Sequence, residues 1–182
     1  AGGRACRGRA GADRLLDALA VRLTDGYSAS APMMKRVLGT LCDEEVPVQE
    51  TLPWLWFASV IAADLWDDER WRVVATRHVT IALEAGALSE IPRALDSRAY
   101  AHLFAGELTA AALLVDEIRT VSEATGSNLT PYGAVGLAAL RGRETDAIHL
   151  IDESREDATR RGEGVGLSVL DWARAILYNG LG

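Results

Sequence analysis

Apolar residues recur along this chain at the spacing of one helix face. Leu15, Leu16, Leu19 and Leu23 follow an i, i+1, i+4, i+8 pattern, and Val73, Val74, Arg77, Ile81 and Ala85 nearly repeat it. Alternating apolar and polar stretches rich in β-branched residues, the mark of strands, are missing, and alanine, the best helix former, is abundant. Pro32, Pro47, Pro92 and Pro131 stand near the starts of apolar stretches, where a helix tolerates proline because its first-turn N–H groups have no intrahelical partner. Pro53 lies a turn further in and is expected to kink or delay its helix. Gly86, Gly126 and Gly162 follow helix ends and can close them in the left-handed conformation. The pattern predicts an all-α chain of about nine helices, at 12–24, 29–43, 49–65, 68–85, 90–104, 108–125, 130–141, 144–161 and 166–179.

The helices repeat. Gly26, Trp66, Gly106, Gly142 and Gly182 mark short turns 36 to 40 residues apart. Five places after each of the first four stand Ala31, Trp71, Ala111 and Ala147, and fifteen places beyond the last three come Gly86, Gly126 and Gly162. One frame therefore fits the chain: a helix, a tight turn, a second helix opening on a small or packed residue, and a closing glycine. A period of this size implies stacked antiparallel helix pairs, an α-solenoid, since no pair buries its apolar face alone. Residues 1–11, rich in Gly and Arg, are expected as a flexible tail and 12–182 as one repeat domain. The frame ends on a lone first helix, so the domain is expected to be truncated at its C-terminal end, with the apolar side of Val169, Leu170, Ala173, Ile176 and Leu177 short of half its cover.

Composition adds exclusions. Of 182 residues, 49% are hydrophobic and 25% charged, a globular balance. The net charge is −7 although the first ten residues carry three arginines and no acid. So acidic a body disfavours direct nucleic-acid contact. The longest apolar run, Pro53 to Ala63, is interrupted by Ser59 and stopped by Asp64, too short for a membrane span of about 20 residues. Cys6 and Cys42 cannot make a disulfide framework, and Ala1 to Ala10 has no apolar core for a signal peptide, so a cytoplasmic setting is expected. Asn128-Leu129-Thr130 fits the short N-glycosylation pattern. The chain begins without Met and is expected to be a processed product or a piece of something longer.

Catalytic chemistry finds no foothold. His78, His102 and His149 include no pair at the i, i+4 spacing that sets two imidazoles on one metal. Gly-x-Ser-x-Gly does not occur, and Asp43, Glu44 and Glu45 would dull the Cys42 thiol by raising its pKa. The acidic runs Asp67-Asp68-Glu69 and Asp43-Glu44-Glu45 fall at helix ends, where they read as solvated caps. Gly162-Glu163-Gly164-Val165-Gly166 has no following lysine and an acid inside, so it reads as a helix–helix turn. No catalytic residue, metal ligand or cofactor site is expected.

Gly106 to Ala111 and Gly142 to Ala147 carry a Gly-x-x-x-x-Ala step, and Tyr178 to Gly182 a Tyr-x-x-x-Gly step; in these the chain resembles tetratricopeptide (TPR) solenoids, with a longer period and with Trp66 and Trp71 in place of small residues. Further strings are Trp66-Asp67-Asp68-Glu69, Ala75-Thr76-Arg77, Glu84-Ala85-Gly86-Ala87-Leu88, Phe104-Ala105-Gly106-Glu107-Leu108, Glu123-Ala124-Thr125-Gly126-Ser127, Ala138 to Glu144 and Leu177 to Gly182. In these, from about Asp13 to Gly182, the chain resembles the helical arm of large ATP-binding LuxR-type transcriptional regulators of actinomycetes. The resemblance implies a right-handed TPR-like arm between a nucleotide-binding domain and a helix-turn-helix. Neither is in this segment: Lys35, the only lysine, has no glycine loop before it, and no basic recognition helix follows. ATP would belong to the missing domain alone.

Counting ten back from each turn position gives Leu16, Trp56, Asp96, Tyr132 and Trp172. In TPR-like arrays this place on the first helix faces the concave groove, and Tyr100 stands one turn beyond Asp96. Trp56, Asp96, Tyr100, Tyr132 and Trp172 are therefore the candidate groove for a protein or peptide partner or a small inducer. Packing between adjacent repeats is the competing role for the same rings, and the one assigned to Trp54, Trp66 and Trp71. The expected function is a non-catalytic arm that relays inducer or partner binding between absent nucleotide-binding and DNA-binding domains. The alternative is a free-standing TPR-like scaffold or adaptor.

Overall fold

A computed structural model describes the backbone of residues 2–42 and 51–182 and the side chains of 11–42 and 51–182. Among the described residues every regular element is helical. The helices are α1 (Gly2–Thr24), α2 (Tyr27–Cys42), α3 (Leu55–Asp64), α4 (Asp68–Glu84), α5 (Ile91–Phe104), α6 (Leu108–Thr125), α7 (Tyr132–Leu140), α8 (Glu144–Arg161) and α9 (Gly164–Leu181). A 3₁₀ turn, Leu52–Trp54, carries Pro53 and precedes α3, so the helix is delayed as the proline predicts. α1 is helical from Gly2, through the stretch expected as a tail, where alanine and arginine favour helix. By its internal contacts the chain divides into two compact units, Ala1–Ala87 and Leu88–Gly182.

The repeat frame is visible in the backbone. The turn positions all have positive φ, from Trp66 at 54° to Gly26 at 88°. One hydrogen bond recurs after turn positions and closing glycines alike: Asp67 N–H to Ala62 O at 3.0 Å, Ala87 to Ala82 at 2.9 Å, Glu107 to His102 at 2.9 Å and Glu163 to Ala158 at 2.9 Å. This six-to-one bond is the Schellman closure, and it needs a left-handed residue just before its donor. Glycine adopts that conformation without penalty, whereas Trp66 holds it with a Cβ.

In the first unit α1 pairs with α2 and α3 with α4, and α2 packs on both α3 and α4. Leu15, Ala18, Met34, Leu38, Leu55, Val74 and His78 are fully buried. Arg22 reaches from α1 to Asp64 of α3 with two bonds of 2.6 and 3.1 Å, and Arg77 Nη1 donates to Leu41 O at 2.9 Å. The sequence face of α1 is only partly correct. Leu15 is buried, but Leu16 and Leu23 are exposed, because the inward stripe runs through Leu15 and Ala18. Trp71 is packed as expected. Trp66 is not: it is 79% exposed, since its left-handed backbone turns the side chain away from the helix it ends.

In the second unit α5 pairs with α6 and α7 with α8, while α7 packs between α5 and α9. α7 is uncharged from Tyr132 to Leu140, as suits a helix with neighbours on several sides. Val135, Ala138, Ala147, Ile151, Ala158, Leu170, Ala173 and Leu177 form one buried cluster. Ala111 and Ala147, five places after their turns, have no exposure, and their small side chains let the paired helices approach closely. Leu170, Ala173 and Leu177 of α9 are fully covered by α7 and α8, while Val169 and Ile176 on the same helix are half-buried.

Candidate functional site

The N-terminus of α7 opens the site. Its N-cap position is Pro131, which offers no side-chain acceptor. Asp96 of α5 supplies one across the repeat: the Gly133 N–H donates to Asp96 Oδ1 at 2.8 Å. A helix start has orphan N–H groups and a positive dipole end, and a carboxylate meets both. One turn along α5, the Tyr100 hydroxyl donates to the Tyr132 carbonyl at 3.0 Å. The close approach depends on absent side chains in α7. A Cβ at Gly133 would lie 2.8 Å from Asp96 Oδ1, and one at Gly136 would lie 2.9 Å from Leu103 Cδ1 and 3.3 Å from the Tyr100 hydroxyl.

Tyr132 points the other way along the stack. Its hydroxyl donates to Glu163 Oε2 at 2.6 Å, at the N-cap of α9, and Gly166 leaves room for the ring. Trp172 of α9 then lies against α5: its ring stacks on Phe104 at 5.0 Å with planes 14° apart and meets Tyr100 at 6.1 Å. Tyr100 and Phe104 are themselves 6.5 Å apart. Asp96, Tyr100 and Phe104 thus form a four-residue ladder on one face of α5, with α7 beside it and the α9 indole joined to it.

Electrostatics separate the two carboxylates. Burial pushes the Asp96 carboxyl up to about 7, partly offset by the Gly133 N–H. No cation among the described residues contributes to it. Asp96 nevertheless keeps some exposure. Glu163, in contrast, has Arg161 Nη1 at 3.6 Å as well as the Tyr132 hydroxyl. Burial, then the nearby Asp96, raises the Tyr100 hydroxyl well above the usual tyrosine range. Tyr132 is raised by burial and then by its bond to Glu163. Asp157 is held below the carboxylate range: burial opposes this, but the Thr130 hydroxyl at 2.9 Å and Arg161 outweigh it.

Four of the five expected groove residues, Asp96, Tyr100, Tyr132 and Trp172, are therefore brought together in the second unit. Trp56 belongs to the first unit, on α3, where its ring meets Phe57 edge-on at 5.0 Å. Phe104 and Glu163 were not anticipated. Phe104 stands eight residues after Asp96, on the same helix face, so the spacing could have found it. Glu163 gave no signal, because its bond to Tyr132 joins residues 31 apart.

The other candidates are dispersed. His78 is buried, His102 Nδ1 lies 2.5 Å from Glu107 Oε2, and His149 Nε2 lies 3.4 Å from Glu153 Oε1. No group of three metal-type side chains occurs among the described residues. Asp67 caps α4, accepting from the Arg70 N–H at 3.1 Å, while Asp43, Glu44 and Glu45 lie outside the described residues. Burial raises the Cys42 thiol. A small polar pocket of about 140 Å³ lies between the start of α5 and the 127–129 loop, bordered by Arg93 and Arg161, both of which have carboxylate neighbours. No helix among the described residues is long and apolar enough to cross a membrane.

No family model matches the chain, and neither a curated protein nor a solved structure does.

Proposed function

We propose that the chain is a non-catalytic interaction arm built as a right-handed TPR-like repeat, of the kind carried by LuxR-type transcriptional regulators, and that it works in the cytoplasm. The convergence of Asp96, Tyr100, Tyr132 and Trp172 on one face of the second unit carries the interaction reading. Aromatic rings with a polar tip give large contact area at low entropy cost, which suits recognition. The regulator reading rests on the sequence resemblance.

In this reading an inducer or partner occupies the face and biases the docking of a nucleotide-binding and a DNA-binding domain, by no more than its differential affinity for the two states. The proposal requires a Walker motif upstream and a helix-turn-helix downstream in the same reading frame. Sequencing the gene on both sides tests it. A stop soon after one more amphipathic helix would overturn the regulator in favour of a self-contained scaffold.

A further inference from the structure

We propose that the pocket between the start of α5 and the 127–129 loop binds a phosphate group, as the free ion or as a small monoester. The inference concerns a second site and does not rest on the interaction-arm reading. The pocket holds about 140 Å³. That is below the roughly 300 Å³ at which pockets begin to take drug-sized ligands, and it suits one small anion. Its polar walls are Ser89, Arg93, Ser127, Asn128 and Arg161, and no acid lines it. Guanidinium groups donate only, and the two hydroxyls and the Asn128 amide can donate as well. Among the described residues the side chains of Ser89, Ser127 and Asn128 make no hydrogen bond. The carboxylate nearest Arg93 is Glu90, at 3.9 Å, beyond hydrogen-bond distance. The walls therefore offer donors and positive charge and no negative charge of their own.

One carboxylate outside the pocket builds two of its walls. Asp157 Oδ2 accepts the Thr130 hydroxyl at 2.9 Å, which ties down the end of the 127–129 loop, and the same oxygen pairs with Arg161 Nη2, which sets the guanidinium. Arg161 Nη1 lies 3.6 Å from Glu163 Oε1, also beyond hydrogen-bond distance, so its donors stay available. The two arginines come from different helices, α5 and α8. A planar carboxylate is matched by one bidentate guanidinium, whereas a phosphate has three terminal oxygens and takes donors from several directions. Pro92 is buried and Leu129 half-buried in the remaining wall, which limits water and strengthens charge-assisted bonds. Glu90, at the N-cap of α5, makes no side-chain cap bond, so the positive end of that helix adds to the same field.

The test titrates the full ¹⁵N-labelled chain with inorganic phosphate, with chloride holding the ionic strength constant. It is followed by NMR at the Ser127 and Asn128 amides and the arginine Nε–H signals. These signals are expected to move and saturate in the millimolar range. Binding should be tighter at about pH 8 than at about pH 5, because a phosphate group loses its second proton between these values. Arg93 is about half-exposed and hydrogen-bonds nothing among the described residues, so Arg93→Gln should keep the fold. It should weaken binding at least about tenfold, the effect of one lost charge-assisted bond. Ser127→Ala should give a smaller loss. Glycerol 3-phosphate separates the two sources: binding as tight as inorganic phosphate assigns the site to a monoester, and no response to it beside a response to phosphate assigns the free ion. Shifts that grow without saturating, acetate binding as tightly as phosphate, or phosphate binding unchanged in Arg93→Gln would each overturn the site. None of these outcomes bears on the Asp96 face.

Discussion

Replacing Asp96 with asparagine removes a charge and little else. The side chain keeps its shape, and its carbonyl oxygen can still accept the Gly133 N–H that Asp96 holds at 2.8 Å. The carboxyl has a folded-state pKa of about 7 against an ordinary value of 3.8. Because the folded pKa is raised, the native state binds more protons than the unfolded state across that interval. The associated stability is present below about pH 4 and is lost as pH rises through 7. Taken whole, the interval corresponds to about 4 kcal/mol at about 1.4 kcal/mol per unit. Water reaching the partly exposed carboxylate reduces this, and we expect about 2 kcal/mol. Asp96→Asn should therefore match the parent near pH 4 and exceed it by that amount at pH 8. The assay is urea unfolding of both proteins across this range, followed at the Trp172 indole signal, with the difference between the two curves isolating Asp96 from the histidines. A difference that stays flat with pH, or a variant less stable than the parent at pH 8, would refute the reasoning.

Trp66→Gly should stabilise the first unit by about 1 kcal/mol, read as a raised urea midpoint, because φ of 54° burdens any residue with a Cβ; a lower midpoint would mean that contacts of the indole outweigh the strain. Gly133→Ala should destabilise the second unit by about 1 kcal/mol, although alanine is the better helix former, since the new methyl would sit 2.8 Å from Asp96 Oδ1; calorimetry showing a gain would contradict the close approach. Ile151→Ala should cost about 2–5 kcal/mol, as Ile151 has no exposure within the α7–α8–α9 cluster, and a loss below 1 kcal/mol in chemical denaturation would mean the site is loosely packed. Asp64→Asn should cost about 1 kcal/mol or less, and the loss should shrink in high salt, because the Arg22 pair is about one-third exposed on each side.

Local chemistry explains what could be read early. Gly106, Gly126, Gly142 and Gly162 were legible as turns because a left-handed residue is needed to close a helix and glycine supplies it at no cost. Ala111 and Ala147 were legible as packed positions because they recur at one offset from those turns. Asp96, Tyr132 and Trp172 shared a place in the same frame, and the frame put them on one side of successive first helices. It could not tell which of them would touch. Trp66 departs from its expected packing for a related reason: its place in the frame is a turn, and the turn points the side chain outward.

That this chain is helical, where its helices stop and what period they repeat with are legible along the chain, because caps, turns and helix propensity act between residues a few places apart. Tertiary packing settles that Leu15 is buried and Leu16 exposed, that Asp96 caps a helix on another repeat, and that Trp172 stacks on Phe104. Those outcomes depend on which surfaces meet across separations of about 30 to 70 residues. Such meetings are set by the room that Gly133, Gly136 and Gly166 leave between helices, a property of packing that no local pattern contains.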